Sequence, residues 1–168
     1  MMARKFHPID LARLGDDKAL AIAAYGQAVA AYRCIILAEK AVQNTLRASF
    51  EAMAGEKNLE RDRLQAALAR LFPAACFFLA AGDKNLVCVG PRLVDARDDT
   101  RFDEAMRLLI ASEKRAISFY NRYASQAKTA AVRELFLILA ADGLERVRRL
   151  RRLFQEAGHQ IVEPCPLL

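Results

Sequence analysis

The chain has 168 residues, of which 54% are hydrophobic, with only seven Gly and five Pro. That length fits one domain with one core, and that composition excludes a disordered chain and favours a helical bundle over a sandwich or barrel. A formal charge of +6 permits an anionic partner without requiring one.

Four cysteines, Cys34, Cys76, Cys88 and Cys165, include no Cys-x-x-Cys pair. Neither a zinc ribbon nor a rubredoxin-type iron site is therefore encoded, and buried thiols are expected. The start, MMARKFHPID, is positively charged but has no apolar run behind it. The longest uncharged stretch, Ala19 to Tyr32, is too short and too alanine-rich to span a membrane. A soluble cytoplasmic protein without a membrane partner is the expectation.

In chain order, a short arm ends at Gly15, and Asp16 and Asp17 offer a cap and first-turn negative charge. The first helix is predicted to run to about Val42, with a stripe of Ile22, Tyr25, Val29, Tyr32 and Ile36. The polar run Gln43-Asn44-Thr45 predicts a tight turn, with Asn44 or Thr45 capping a second helix to about Phe72. One continuous helix is the rival, disfavoured because it would be far longer than globular domains use. Residues 16–72 thus form a first hairpin. Pro73 ends it and begins a crossover over 73–100. Two short apolar pieces flank Gly82-Asp83, read as a turn; they could pair as a hairpin or lie along the bundle. Thr100 is read as the cap of a third helix whose stripe is Met106, Leu109, Ile110, Glu113, Ile117, Tyr120 and Tyr123. A polar turn at Ser125 to Lys128 follows, then a fourth helix capped by Thr129 and ended near Ala157 by Gly158. Residues 101–157 form the second hairpin and 158–168 an extended tail. The four tyrosines, Tyr25, Tyr32, Tyr120 and Tyr123, lie at core spacing.

The two halves resemble each other. An offset of 88 puts Ile22, Ala28 and Tyr32 on Ile110, Ala116 and Tyr120. An offset of 86 puts Phe50, Met53-Ala54 and Leu64 on Phe136, Leu139-Ala140 and Leu150. One hairpin cannot bury its apolar face alone, and a second copy covers it. The predicted fold is all-α: an antiparallel four-helix bundle of two helical hairpins with a long crossover, in the ferritin-like manner.

The pattern Ile110-x-x-Glu113-x-x-Ala116-x-x-Phe119-Tyr120, followed by Phe136-x-x-Leu139-Ala140, resembles the rubrerythrin branch of the ferritin-like superfamily. That resemblance implies a diiron site, with one Glu from the first helix of each half and a Glu-x-x-His from the second. On those positions Glu113 is present, and its repeat partner in the first helix is Tyr25. In the second helix Lys57 and Glu60 stand at the Glu and His positions; in the fourth, Gly143 and Arg146 do. The histidines, His7 and His159, belong to the arm and the tail. Lys and Arg carry protons rather than free lone pairs at neutral pH, so no metal cofactor is expected.

Two inward carboxylates without a metal are costly unless neutralised. Lys57 and Arg146 are therefore expected to act as counter-charges to Glu60 and Glu113, with Tyr25 as a hydrogen-bonding edge; with Gly143 these form the expected bundle-centre set. The plainer alternative is a solvated kink over Gly55 to Arg63. Should iron bind, a shifted set of Glu113, Glu60, Glu56 and Asp142 is the candidate ligand group, although a one-residue shift turns a side chain by about 100°.

Three function classes follow. The favoured one is a binding, regulatory or structural module that has lost its diiron centre. The second is an iron-dependent oxidoreductase or iron-handling protein with that reduced carboxylate set. The third is a basic adaptor for an anionic partner through the five arginines between Arg146 and Arg152. That run has little aromatic interleaving, against nucleic-acid binding. No catalytic triad, phosphate loop or zinc spacing appears. The resemblance also implies a homodimer, with Phe77, Phe78, Leu86 and Val87 of the crossover as candidate contacts, besides a protein partner the residues do not name.

Overall fold

In the computed structural model, residues 10–76, 78–92 and 99–158 are described. The predicted tail beyond Gly158, the arm before Asp10, both histidines, Cys165 and Phe77 lie outside them. Four long helices form the bundle: α1 (Asp16–Lys40), α2 (Asn44–Leu71), α4 (Asp99–Ala124) and α5 (Ala130–Glu156), with a one-turn α3 (Ala81–Lys84) between the hairpins. Helices α1 and α2 pack as one antiparallel hairpin, α4 and α5 as the other, and α1 lies against α4 across the middle.

The helix ends follow from local chemistry. A turn at residues 41–43 separates α1 from α2, two residues earlier than the polar run suggested, and Gln43 is the N-cap in place of Asn44 or Thr45. No side chain caps that end. Helix α2 runs unbroken through Gly55, so the stretch to Arg63 is not a kink. Helix α4 starts at Asp99, which puts Thr100 inside the helix rather than at its cap. Thr129 is the N-cap of α5, and Gly158 follows its end at φ 82°, the left-handed conformation a C′ glycine adopts without strain. Gly82-Asp83 is not a free turn. It belongs to α3, where the buried Asp83 carboxylate accepts from the Ala80 N–H at 2.8 Å and pairs with Lys18 at 3.1 Å. Among the described residues the crossover contains no strand.

Asp16 locks the two hairpins together at one end. Its carboxylate accepts from the Tyr123 hydroxyl at 2.6 Å and from the Thr129 N–H at 2.7 Å. Burial alone would raise its pKa; those hydrogen bonds outweigh burial and hold it below the usual value.

Every residue of the predicted α4 stripe is buried, from Met106 to Tyr123. The α1 stripe is rotated from its expected position. Ile22 and Val29 are buried, but Tyr25 is only half-buried and Tyr32 is exposed. Buried side chains instead surround most of α1, including Ala19, Ala23, Ala30, Arg33, Cys34 and Leu37. By length and composition α1 could cross a membrane, but 67% of its most apolar window is packed inside the bundle.

Burial also corrects the repeat. Between α2 and α5 the offset of 86 holds, since Phe50, Met53, Lys57, Glu60 and Leu64 share burial with Phe136, Leu139, Gly143, Arg146 and Leu150. Between α1 and α4 the burial pattern matches at the same 86, not 88: Gln27, Ala30, Ala31, Cys34 and Leu37 then share burial with Glu113, Ala116, Ile117, Tyr120 and Tyr123, and Tyr32 and Ile35 share exposure with Ser118 and Asn121. Pairing Tyr32 with Tyr120 placed a surface residue on a core one. An alanine-rich helix buried nearly all round gives little phase information by which to avoid that.

Candidate functional site: a charged layer across the bundle centre

The core falls into two apolar halves. One contains Met53, Leu109, Ile110, Ile117, Val147 and Leu150; the other contains Leu64, Ala116, Tyr120, Phe136, Leu139 and Ala140. Along α2, α4 and α5, the residues between those halves are Lys57 and Glu60, Glu113, and Gly143 and Arg146. All five are buried.

The four charges alternate in sign. Lys57 Nζ lies 2.5 Å from Glu113 Oε1. Arg146 Nη1 donates to Glu60 Oε1 at 2.7 Å, and its Nε to Glu113 Oε2 at 3.4 Å. Glu113 is thus held between two cations from two other helices, and Arg146 between two carboxylates. Burial would push the Glu113 carboxyl up, but the Lys57 and Arg146 charges outweigh it and hold its pKa below the ordinary value. For Glu60 burial prevails over the same two cations and the pKa is raised. Burial works against the Arg146 charge, yet Glu113 and Glu60 leave that guanidinium more firmly protonated than usual.

Gly143 makes room for this layer. A Cβ there would come 2.6 Å from Cγ1 of Ile117. Tyr25 does not supply the neighbouring hydroxyl. Its half-buried ring lies beneath the Lys84 ammonium, 5.3 Å from centroid to nitrogen. The reason is the corrected register: Gln27, not Tyr25, corresponds to Glu113, and the two positions between Tyr25 and Gln27 turn a side chain by about 200° around the helix. Gln27 lines the same small cavity as Lys57 and Glu113. The nearby phenol is Tyr120, whose oxygen accepts from Gln27 Nε2 at 3.1 Å. Burial and the Glu113 and Glu60 charges push its pKa above the usual value. Cys34, under the same layer, has its thiol pushed up to about 12 by burial and is inert at neutral pH.

Gln27 and Arg33 are buried polar groups that sequence patterning did not assign to the centre, whereas Tyr120 lay on the predicted stripe. Arg33 donates to Ser112 Oγ at 2.7 Å and to the carbonyls of Val89 at 2.7 Å and Pro91 at 2.6 Å. It stands three residues from Ala30 and four from Leu37. That helical spacing was the available signal.

The shifted carboxylate set does not converge. Glu56 sits at the half-buried edge of the bundle in a two-pronged pair with Arg149, at 3.1 and 2.7 Å, and Asp142 is exposed. Arg149 holds the Glu56 carboxyl below its usual value. Among the described residues no three His, Cys, Asp or Glu side chains gather as a metal site would require. Glu60 and Glu113, the inward carboxylates, already face cations. These donors do not fit a diiron centre.

The arginine run divides between the core, its edge and the surface. Arg146 is buried and Arg149 pairs with Glu56, while Arg148 and Arg152 both lie near Glu145, at 3.4 and 3.6 Å. The cavity at the layer, of about 10 Å³, has room for about one water and none for a substrate. A second, open cleft of about 290 Å³ lies between α2 and α5, lined by Arg63, Ala67, Arg70, Leu71, Leu135 and Ile138 among others.

No protein-family model and no curated protein matches the chain. Among solved structures, a hypothetical protein from Pyrococcus furiosus is similar, with a TM-score of 0.73 and 18% identity, over 90% of this chain and 96% of that one. At that identity the likeness establishes the shared all-helical fold.

Proposed function

We propose that the chain is a ferritin-like, rubrerythrin-type bundle in which an ion-pair layer stands in place of the metal centre, serving in the cytoplasm as a binding, regulatory or structural module. The observation that carries this reading is the arrangement of Lys57 and Arg146 around Glu113 and Glu60. Cations occupy positions where metal ligands would stand, and both inward carboxylates are engaged. An uncharged donor geometry open to a metal would first require breaking those pairs, at about 3–5 kcal/mol for each buried partner lost. The closed centre leaves the surfaces, not the core, to carry recognition.

The test is metal content and oxidation chemistry. Protein purified without chelator is analysed for metals, then again after ferrous iron is added in air. The expected result is iron well below one equivalent and no oxidation above the protein-free rate. Stoichiometric iron with ferroxidase turnover would favour an oxidoreductase using Glu113 and Glu60 and would end this reading.

A further inference from the structure

Helix α5 carries three exposed large apolar side chains within eight residues. Leu137, Ile138 and Leu144 are each about half exposed, at 51%, 50% and 48%. Glu134, Leu137, Ala141, Leu144 and Arg148 follow at steps of three and four, and all five are exposed. They form one line along the side of α5 turned away from Phe136, Ala140, Gly143 and Val147. Alternating steps of three and four are the spacing of a seam between two paired helices.

The charges along this line select the partner. Glu134 lies seven residues before Ala141 and Arg148 seven after it. Leu137 and Leu144 lie between, four before and three after. Reversing the helix about Ala141 therefore sets acid against base and brings each Leu137 within one position, about 1.5 Å along the axis, of the other copy's Leu144. A parallel pairing would set Glu134 against Glu134 and Arg148 against Arg148. The geometry points to the outer face of α5 as an isologous interface between two copies of this chain, crossing antiparallel about a twofold axis at Ala141.

Each Glu134 then meets the other copy's Arg148, giving two ion pairs at the ends of the contact. The leucines interdigitate between them, and the small Ala141 side chain lets the helices approach at the axis. Within one chain Arg148 has only a solvent-exposed pair with Glu145, at 3.4 Å, which is weak and readily exchanged. This interface does not depend on what occupies the bundle centre. It replaces the crossover as the dimer contact: Val87 is buried against Gly26, Leu86 is half-buried, and Phe78 is the exposed one of the three described.

Sedimentation of the full chain tests it, over about 1 to 100 μM, where a modest interface dissociates. The wild type is expected to dimerise in that range. Leu137→Glu with Leu144→Glu should remain monomeric throughout. Glu134→Arg should weaken the dimer at least about tenfold, and Glu134→Arg with Arg148→Glu should restore it. All four positions are exposed, so unchanged helical circular dichroism verifies each fold. A monomeric wild type, a dimer indifferent to the double glutamate variant, or a charge swap that fails to restore pairing would each overturn the proposal.

Discussion

Glu113 is buried between Lys57 and Arg146, and the burial that would raise its pKa is outweighed by those cations. Its stabilising contribution is complete above the unfolded carboxylate value of about 4.3 and is lost as pH falls through the lower folded value. Asp16 and Glu56 are also lowered and share that sign. Glu60, with a raised pKa, has the opposite sign: the folded state prefers it protonated, so its contribution declines as pH rises through that value. Melting temperature against pH should therefore fall below about pH 4.3, less steeply for Glu113→Gln and more steeply for Glu60→Gln. An unchanged acid slope in Glu113→Gln would contradict this assignment. Glycines provide a second residue-scale contrast. Beyond the adjoining residues and the helix's own backbone, nothing lies within 4 Å of where a Gly55 Cβ would stand, so Gly55→Ala should stabilise by about 1 kcal/mol through helix propensity. At Gly143 the Ile117 clash turns the same change into a net loss, with overpacking costing about 1–3 kcal/mol. Denaturant titration of the two variants checks the difference in sign.

Among the elements, α4 was readable from sequence in both extent and phase because it has one apolar face and one solvated face, and its stripe is buried from Met106 to Tyr123; α5 was readable in its extent and its Thr129 cap. Helix α1 was readable as a helix but not in phase. Alanine occupies both its inner and outer positions, so the tyrosines at 25 and 32 decided a register that the core does not use. The same blind spot hid Arg33, a charged residue buried at 1% exposure that ties α1 to the crossover and to α4. Its guanidinium satisfies two crossover carbonyls, and Ser112 Oγ accepts from both Arg33 and the Val89 N–H, at 2.7 and 2.9 Å. Arg33→Ala leaves those carbonyls without their donor. Amide exchange over residues 85–91 should quicken while the α4 and α5 amides retain protection. Uniform loss of protection would show that Arg33 supports the whole bundle rather than this attachment.

For the whole molecule, two helical hairpins bury their apolar faces against each other, and the repeat that announces this was visible in sequence. Spacing put Glu113 on an inward stripe; the resemblance put Lys57, Glu60, Gly143 and Arg146 at the centre with it, and also Tyr25, which the fold turns away. Which charge meets which was not legible, because each pair joins different helices and depends on their rotation and separation. The central claim is that Lys57 and Arg146 make two buried carboxylates tolerable. It is tested most directly by a double-mutant cycle of Lys57→Met and Glu113→Leu, read by denaturant unfolding. Either change alone strands a buried charge and should cost about 3–5 kcal/mol. Together they leave Arg146 paired with Glu60, so the double variant should be about 2–3 kcal/mol more stable than the sum of the singles predicts. Additivity within about 0.5 kcal/mol would mean that the two charges do not compensate each other in the folded protein and would contradict the account.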